Sequence, residues 1–162
     1  MKNITNEKEI LETLERQAFL IEKKVGQSIA SIKEFSREIS QHDHVAIGIN
    51  DLEQLVPVFL SESLFRLIDV APEDYFKNPM HYINQYLFPG DFDKSAKTVR
   101  NHLLSQSANL PISFIQRMKM YNGTEHEGIY TLSKKIVGGN ALLNIGIRIN
   151  SITKVQHVRQ ML

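Results

Sequence analysis

The sequence contains no cysteine, and this absence excludes several kinds of chemistry. A chain without thiols forms no disulfide, no thiolate metal site, no cysteine nucleophile and no flavin–cysteinyl adduct. Neither sign of charge dominates either, since nineteen basic residues stand against eighteen acidic ones and the formal net charge is +1. Because nucleic-acid binding surfaces need a basic stripe, we expect no direct nucleic-acid binding.

Long apolar runs and catalytic motifs are missing as well. No stretch approaches the roughly 20 apolar residues that span a bilayer, and the N-terminus is polar and charged. We therefore expect a cytoplasmic protein that does not associate with membranes. The chain has no Walker loop, nucleophile elbow or metalloprotease helix motif, and no acid–base pair is evident. The sequence predicts no catalytic residue and no enzyme activity.

Residues 4–39 carry the clearest periodic pattern in the chain. Counted from Ile4, nine of the eleven heptad a and d positions are apolar, which is typical of a two-stranded coiled coil. One helix over this stretch would be about 54 Å long, more than a single small domain covers. The pattern therefore predicts a homodimer. Its predicted interface residues are Leu11, Leu14, Ala18, Ile21, Val25, Ile32 and Phe35.

A second interpretation of the same segment stays open. Phe19 and Leu20 are apolar but lie off the heptad seam, so they widen the apolar stripe of the helix. Gly26 and Ser28 weaken the middle of the pattern, because glycine and serine are poor residues for a helix interior. In this interpretation the segment forms two shorter helices, and the second folds back on its own domain.

The pattern changes from helical to strand-like after residue 44. It predicts a hairpin over 45–60, three short helices over 61–87, a longer helix from Asp91, and strands over 110–120, 128–137 and 142–149. Ser61 and Asp91 are the predicted N-caps of the first and last of these helices. The order predicts an α+β fold: a five-stranded antiparallel sheet with short helices on one face, preceded by a long N-terminal helix. The predicted divisions are 1–40 (dimerisation helix), 44–153 (sheet domain) and 154–162 (C-terminal connector helix).

Four motifs, in the correct order, resemble those of PAS domains. Residues 58–76 are similar to the family's strand and first helices, 87–91 to its His-Pro-x-Asp turn, 117–124 to its Arg-x-x-x-x-Asp-Gly hairpin, and 151–154 to its terminal Asp-Ile-Thr element. The chain departs from the family pattern at four positions. These are Asp69, Phe88, Asn122 and Ser151, where the family usually has glycine, histidine, aspartate and aspartate.

The resemblance implies a function in signal sensing rather than catalysis. It implies a cavity between the sheet and the short helices, a possible small-molecule ligand, and a downstream output domain or partner protein, such as in bacterial LuxR-type transcriptional regulators. Strand alternation assigns the cavity to Ile47, Ile49, Val58, Leu60, Leu67, Tyr86, Val99, Leu103, Phe114, Gln116, Ile145 and Ile147. The alternative function is a constitutive coiled-coil adaptor whose PAS-like core is filled and binds no ligand.

Gln116 and the histidines are the polar candidates. A buried Gln116 amide needs a partner, which Tyr86, a water or a ligand would supply, unless a bulge turns the side chain away. His102 lies on the longer helix, from which haem-binding PAS proteins supply an axial ligand, so the resemblance keeps haem as an option. Neither His42 nor His44 has a third ligand nearby in the sequence. No metal site is predicted, and a cofactor is either unknown or absent.

Overall fold

The N-terminal segment forms two helices, and a five-stranded sheet with four further helices follows them. A computed structural model describes residues 7–25, 28–136 and 140–149. In chain order the elements are α1 (Glu7–Val25), α2 (Ile29–Ile39), β1 (Val45–Asp51), β2 (Pro57–Leu60), α3 (Glu62–Ile68), α4 (Pro72–Lys77), α5 (Pro79–Tyr86), α6 (Asp91–Leu103), β3 (Ile112–Met118), β4 (Glu127–Lys135) and β5 (Ala141–Arg148). The strand order is β2-β1-β5-β4-β3, and all pairs are antiparallel. The predicted α+β class and sheet are confirmed.

The N-terminal segment contains a long helix, α1, and a second, shorter helix, α2, rather than one continuous helix. α1 ends at Val25 and α2 begins at Ile29. Ser28, which occupies a heptad d position, is the N-cap of α2, and its hydroxyl accepts a hydrogen bond from the Ser31 N–H at 3.1 Å. Serine is favoured at the N-cap of a helix and disfavoured in a helix interior, so Ser28 favours the start of a new helix over the continuation of α1. The interpretation as two shorter helices is therefore confirmed.

Both N-terminal helices pack on one face of the sheet, which we call the outer face. α1 contacts β5, and α2 contacts β1. The fully buried side chains of the heptad seam are Leu14, Ala18, Val25 and Ile32. Leu11, Ile21 and Phe35 are partly buried against the same cluster. Within one chain these side chains contact apolar residues of their own sheet, and the dimer interface remains a prediction.

Helices α3 to α6 cover the opposite face, which we call the inner face. One apolar cluster lies around Phe65, Tyr75 and Ile83, and a second lies around Val99 and Leu142. None of the helices in the described part of the chain is long and apolar enough to cross a membrane. The predicted connector helix (154–162), the motif at 151–154 and the first heptad position lie outside the described residues.

The two predicted N-caps lie close to the observed helix starts, but neither side chain caps its helix. Ser61 is the N-cap residue of α3, and its hydroxyl instead accepts a hydrogen bond from the Ile47 N–H at 3.0 Å. Gly90, with φ of 88°, is the N-cap of α6, and Asp91 is the first helical residue. The Asp91 carboxylate binds the Arg117 guanidinium at 2.7 Å. Both side chains thus connect distant strands to the helices.

Candidate ligand-binding site

A cavity of about 150 Å³ lies between the inner face of the sheet and helices α3, α5 and α6. Its floor contains small residues of the two central strands: Ala46 and Gly48 from β1, and Gly146 from β5. At Gly48 a Cβ atom would lie 2.9 Å from Leu60 Cδ2, so Leu60 packs directly over this glycine. Ile129 similarly packs over Gly146, and the cavity is the space that these two side chains leave unfilled above the small residues.

Apolar side chains of the helices form the roof and walls of the cavity. They are Leu64 and Leu67 of α3, Ile83 and Tyr86 of α5, and Phe92, Ala96 and Val99 of α6. The two apolar clusters of the inner face meet at this roof, because Ile83 belongs to one cluster and Val99 to the other. The cavity is therefore a gap between two packed regions.

Polar side chains of β3, β4 and β5 lie on the sheet side of the cavity. Gln116, Thr131, Ser133 and Asn144 all line it. Ser133 and Asn144 are directly opposite each other in the β4–β5 ladder, and the Ser133 hydroxyl donates a hydrogen bond to Asn144 Oδ1. Asn144 Nδ2 is buried and has no hydrogen-bond partner among the described residues. A buried amide donor of this kind is uncommon and calls for a physical explanation.

One end of the cavity is charged, but its charge is neutralised within the protein. The Arg148 guanidinium binds the Glu127 carboxylate, with 2.6 Å between Nε and Oε1. His44 also lines this end, and the Arg148 N–H donates to its carbonyl oxygen at 2.9 Å. Burial lowers the pKa of the His44 imidazole, and the nearby His42 and Arg148 lower it further.

Two tyrosine hydroxyls meet at the helical side of the cavity. The hydroxyl oxygens of Tyr75 and Tyr86 are 3.2 Å apart, and Tyr86 lines the cavity. Burial raises the pKa of the Tyr75 hydroxyl to about 12 and raises the pKa of Tyr86 well above its ordinary value. Both hydroxyls are therefore neutral at physiological pH. Among the described residues, the hydrogen bond of the Tyr86 hydroxyl is to Tyr75, and none joins it to the Gln116 amide.

Seven of the twelve predicted cavity residues border the cavity. They are Ile47, Leu60, Leu67, Tyr86, Val99, Phe114 and Gln116. The other five lie elsewhere. Ile49, Ile145 and Ile147 belong to the cluster under α1 and α2, Val58 is 59% exposed, and Leu103 packs against the cluster around Val99.

The error for β1 and β5 has one cause. The prediction assigned the apolar face of each strand to the cavity, although Ile49, Ile145 and Ile147 of that face pack under the N-terminal helices. The small and polar set, which includes Gly48, Asn144 and Gly146, faces the cavity instead. Asn144 was missed for this reason, and Ser133 was missed because the prediction assigned no residue of β4 to the cavity. The available signal was that β5 alternates Leu and Ile with Asn, Gly and Arg, and two covered faces need two different sets of residues.

The described histidines are not arranged as a cofactor site. His102 Nε2 is 2.7 Å from the Leu110 carbonyl oxygen and does not line the cavity. A haem axial ligand must project into the haem site, so the residues present do not fit this cofactor. The His42 and His44 rings contact each other at 5.6 Å between centroids. Within residues 7–25, 28–136 and 140–149, no group of three or more His, Asp or Glu side chains is placed to hold a metal ion.

The described residues form a small α+β domain around an internal cavity. Comparison with known proteins identifies which known fold this domain has. Neither a protein-family model nor a curated protein matches the chain. An RNA-binding light-oxygen-voltage receptor matches 73% of this chain with a TM-score of 0.54 and 14% sequence identity. This chain spans 31% of that receptor's length.

A second solved structure is a domain of a proposed light and redox sensing histidine kinase from Haloarcula marismortui. It matches 71% of this chain and 96% of its own length, with a TM-score of 0.45 and 11% identity. Light-oxygen-voltage domains are PAS domains, so the match to the receptor identifies the fold. The chain has the PAS fold, as its sequence motifs predicted.

Proposed function

We propose that this chain is a non-catalytic sensory module that binds a small molecule in the inner cavity. The observation that carries the proposal is the cavity of about 150 Å³ above the small residues Ala46, Gly48 and Gly146. Protein interiors are otherwise close-packed, and a cavity of about this size accommodates a benzene-sized molecule in other proteins. A cavity favours sensing over the alternative of an adaptor with a filled core.

The chemistry of the cavity supports binding rather than catalysis. Arg148, the charged residue at its end, is paired with Glu127, and the hydroxyls of Tyr75 and Tyr86 are neutral. General acid–base catalysis needs groups that exchange protons near the working pH. The raised tyrosine pKa values and the paired arginine do not meet this requirement, and burial lowers the pKa of His44, the other titratable side chain among the described lining residues.

Helix α3 offers a route by which a ligand in the cavity acts on the N-terminal helices. Leu64 and Leu67 of α3 line the cavity. Arg66, between them in sequence, donates to the Ser40 carbonyl oxygen and binds Asp43 Oδ1 at 2.9 Å, both just beyond the end of α2. A ligand that shifts α3 therefore also shifts the contact between α3 and the end of α2. Helices α2 and α3 are the proposed two-state element.

The output of the module and its pairing with a second copy are further parts of the proposal. A role as the sensory part of a LuxR-type transcriptional regulator rests on the sequence resemblance alone. Homodimer formation no longer has the heptad seam as support, because Leu14 and Ile32 are fully buried within one chain. Light scattering at tens of micromolar protein tests pairing directly, and a monomer would remove this part of the proposal.

Filling the cavity tests the proposed function. In the Ala46→Leu variant a larger side chain occupies the floor, whereas Ala30→Leu makes the same change at an exposed position of α2. We expect small neutral aromatic compounds to raise the melting temperature of the wild-type protein and of Ala30→Leu, but not of Ala46→Leu. Equal shifts in both variants would place binding outside the cavity. No shift in any of the three proteins would favour the adaptor.

A further inference from the structure

The amide of Asn144 is the polar group of the cavity whose hydrogen-bonding capacity is not met. Ser133 uses its hydroxyl proton to donate to Asn144 Oδ1. This leaves both N–H groups of Asn144 Nδ2 as donors, and this buried nitrogen has no partner in the part of the chain that the structure describes. A buried donor without an acceptor destabilises the protein, so the arrangement gains stability when an acceptor enters the cavity.

Asn144 places this donor beside the small residues of the cavity floor. In the ladder of β1 and β5, Asn144 lies opposite Gly48, and Gly146 lies opposite Ala46. Residues two apart on one strand face the same side and are separated by roughly 7 Å, about the width of a six-membered ring with its hydrogens. Ile129 packs over Gly146 and Leu60 packs over Gly48. A flat ring in the remaining space beside these side chains brings a substituent on its edge to Asn144.

The charge of the cavity restricts the ligand further. Arg148 is bound to Glu127 at 2.6 Å, and its Nη1 also donates to the Asp43 carbonyl oxygen at 3.4 Å. No unpaired charged side chain among the described residues lines the cavity to receive an ionic ligand. An ion that enters a mostly apolar site loses its hydration without compensation, which strongly disfavours binding.

We propose, on the basis of the proposed function, that the cavity selects a neutral, ring-sized molecule with a hydrogen-bond acceptor such as a carbonyl oxygen. Asn144 Nδ2 donates to this acceptor. The hydrogen bond satisfies the buried amide, while the ring contacts the apolar roof formed by residues such as Leu64 and Val99. The ligand class thus follows from the volume of the cavity, its neutrality and the buried donor of Asn144, which has no partner among the described residues.

Three probes of similar size test the proposal by titration calorimetry or ligand-observed NMR. Acetophenone carries a neutral carbonyl acceptor, ethylbenzene carries none, and benzoate carries a charge. We expect the wild-type protein to bind acetophenone roughly five- to tenfold more tightly than ethylbenzene, the range for one net hydrogen bond. Benzoate should bind most weakly. Asn144→Leu, a change of similar volume, should remove the preference for acetophenone.

Gln116→Leu is the matched control, because it removes another carboxamide that lines the cavity. This variant should retain the preference for acetophenone, and loss of the preference here would overturn the assignment to Asn144. Equal binding of acetophenone and ethylbenzene by the wild-type protein would overturn the inference and leave the proposed function standing. This comparison uses only the wild-type protein, so it does not depend on whether a variant folds. If the wild-type protein binds none of the probes, the inference and the proposed cavity site both fail.

Discussion

The Lys134 ammonium lies 2.6 Å from the Glu22 carboxylate, and this ion pair joins α1 to β4. The two residues are 112 positions apart in the sequence, and their side chains are 18% and 5% exposed. A charge this well shielded from water is retained only with its partner, because burial of an unpaired ion is costly. The pair therefore ties the N-terminal helix to the sheet of the same chain.

Removing one partner of this ion pair should destabilise the protein more than removing both. We expect Glu22→Leu to lower the free energy of unfolding by ~1–3 kcal/mol, less than for a fully buried pair because water reaches Lys134. The double variant Glu22→Leu/Lys134→Met should recover part of this loss. Urea denaturation of the singles and the double measures the coupling. Additive effects would show that the pair does not stabilise the α1–sheet contact. Glu15→Leu, at an exposed site on α1, is the control.

The packing of α1 on its own sheet predicts unequal effects for two leucines of this helix. Leu14 is fully buried, whereas Leu20 is 60% exposed. Leu14→Ala should cost ~2–5 kcal/mol of folding free energy, and Leu20→Ala should stay within about 0.5 kcal/mol. Thermal or urea denaturation provides the comparison.

Protein concentration distinguishes this packing from a coiled-coil seam. If Leu14 packs within one chain, the melting temperature of the wild-type protein should not depend on concentration. A seam between two chains would raise the melting temperature as concentration increases. A rise together with equal costs for Leu14→Ala and Leu20→Ala would contradict the observed packing.

The elements of the fold were predictable because their signals are local. Pro72 and Pro79 stand at the first positions of α4 and α5, where proline is tolerated, and alternating residues mark β5. The faces of the strands were harder to predict, because a sheet covered on both sides has two buried faces. Alternation separates the two residue sets of β5 without indicating which layer of helices each set contacts. The prediction therefore placed Ile145 at the cavity and omitted Asn144, whereas the structure shows the reverse.

Long-range hydrogen bonds were not predictable from the sequence either. Ser61 and Asp91 have the residue types and positions of helix caps, but their side chains bind strand residues that come 14 residues earlier and 26 residues later in the chain. Phe88 departs from the family's histidine, and the Arg117 guanidinium carbon lies 3.6 Å from the centre of its ring. A local rule cannot identify such partners, because only the folded sheet brings them together.

A glycine at position 69 should stabilise the protein. Asp69 ends α3 in the left-handed conformation, with φ of 55° and ψ of 52°, and its side chain is exposed. This conformation disfavours residues with a Cβ atom and suits glycine. We expect Asp69→Gly to raise the free energy of unfolding by ~0.5–1 kcal/mol and Asp69→Val to lower it, both measured in urea. A loss of stability in Asp69→Gly would mean that the carboxylate contributes more than the backbone strain removes.

The Asp91 carboxylate predicts how stability depends on pH. It accepts hydrogen bonds from Arg117 at three points: the backbone N–H at 2.9 Å, Nε at 3.1 Å and Nη2 at 2.7 Å. The side-chain hydrogen bonds from Arg117 lower the pKa of Asp91 below its ordinary value of 3.8, although burial opposes the shift. Because the folded-state pKa lies below the unfolded-state pKa, this stabilisation is complete above the unfolded value and disappears as the pH falls through the folded one.

Asp91→Asn should therefore lower the melting temperature by several degrees at neutral pH. The gap between the variant and the wild-type protein should narrow as the pH falls below 3.8, because the wild-type carboxylate then takes up a proton as well. Thermal denaturation across this range measures the gap. Asp93→Asn removes an exposed carboxylate from the same helical turn and should change the melting temperature little at any pH. A gap for Asp91→Asn that stays constant with pH would show that the charge of Asp91 does not stabilise the contact between α6 and β3.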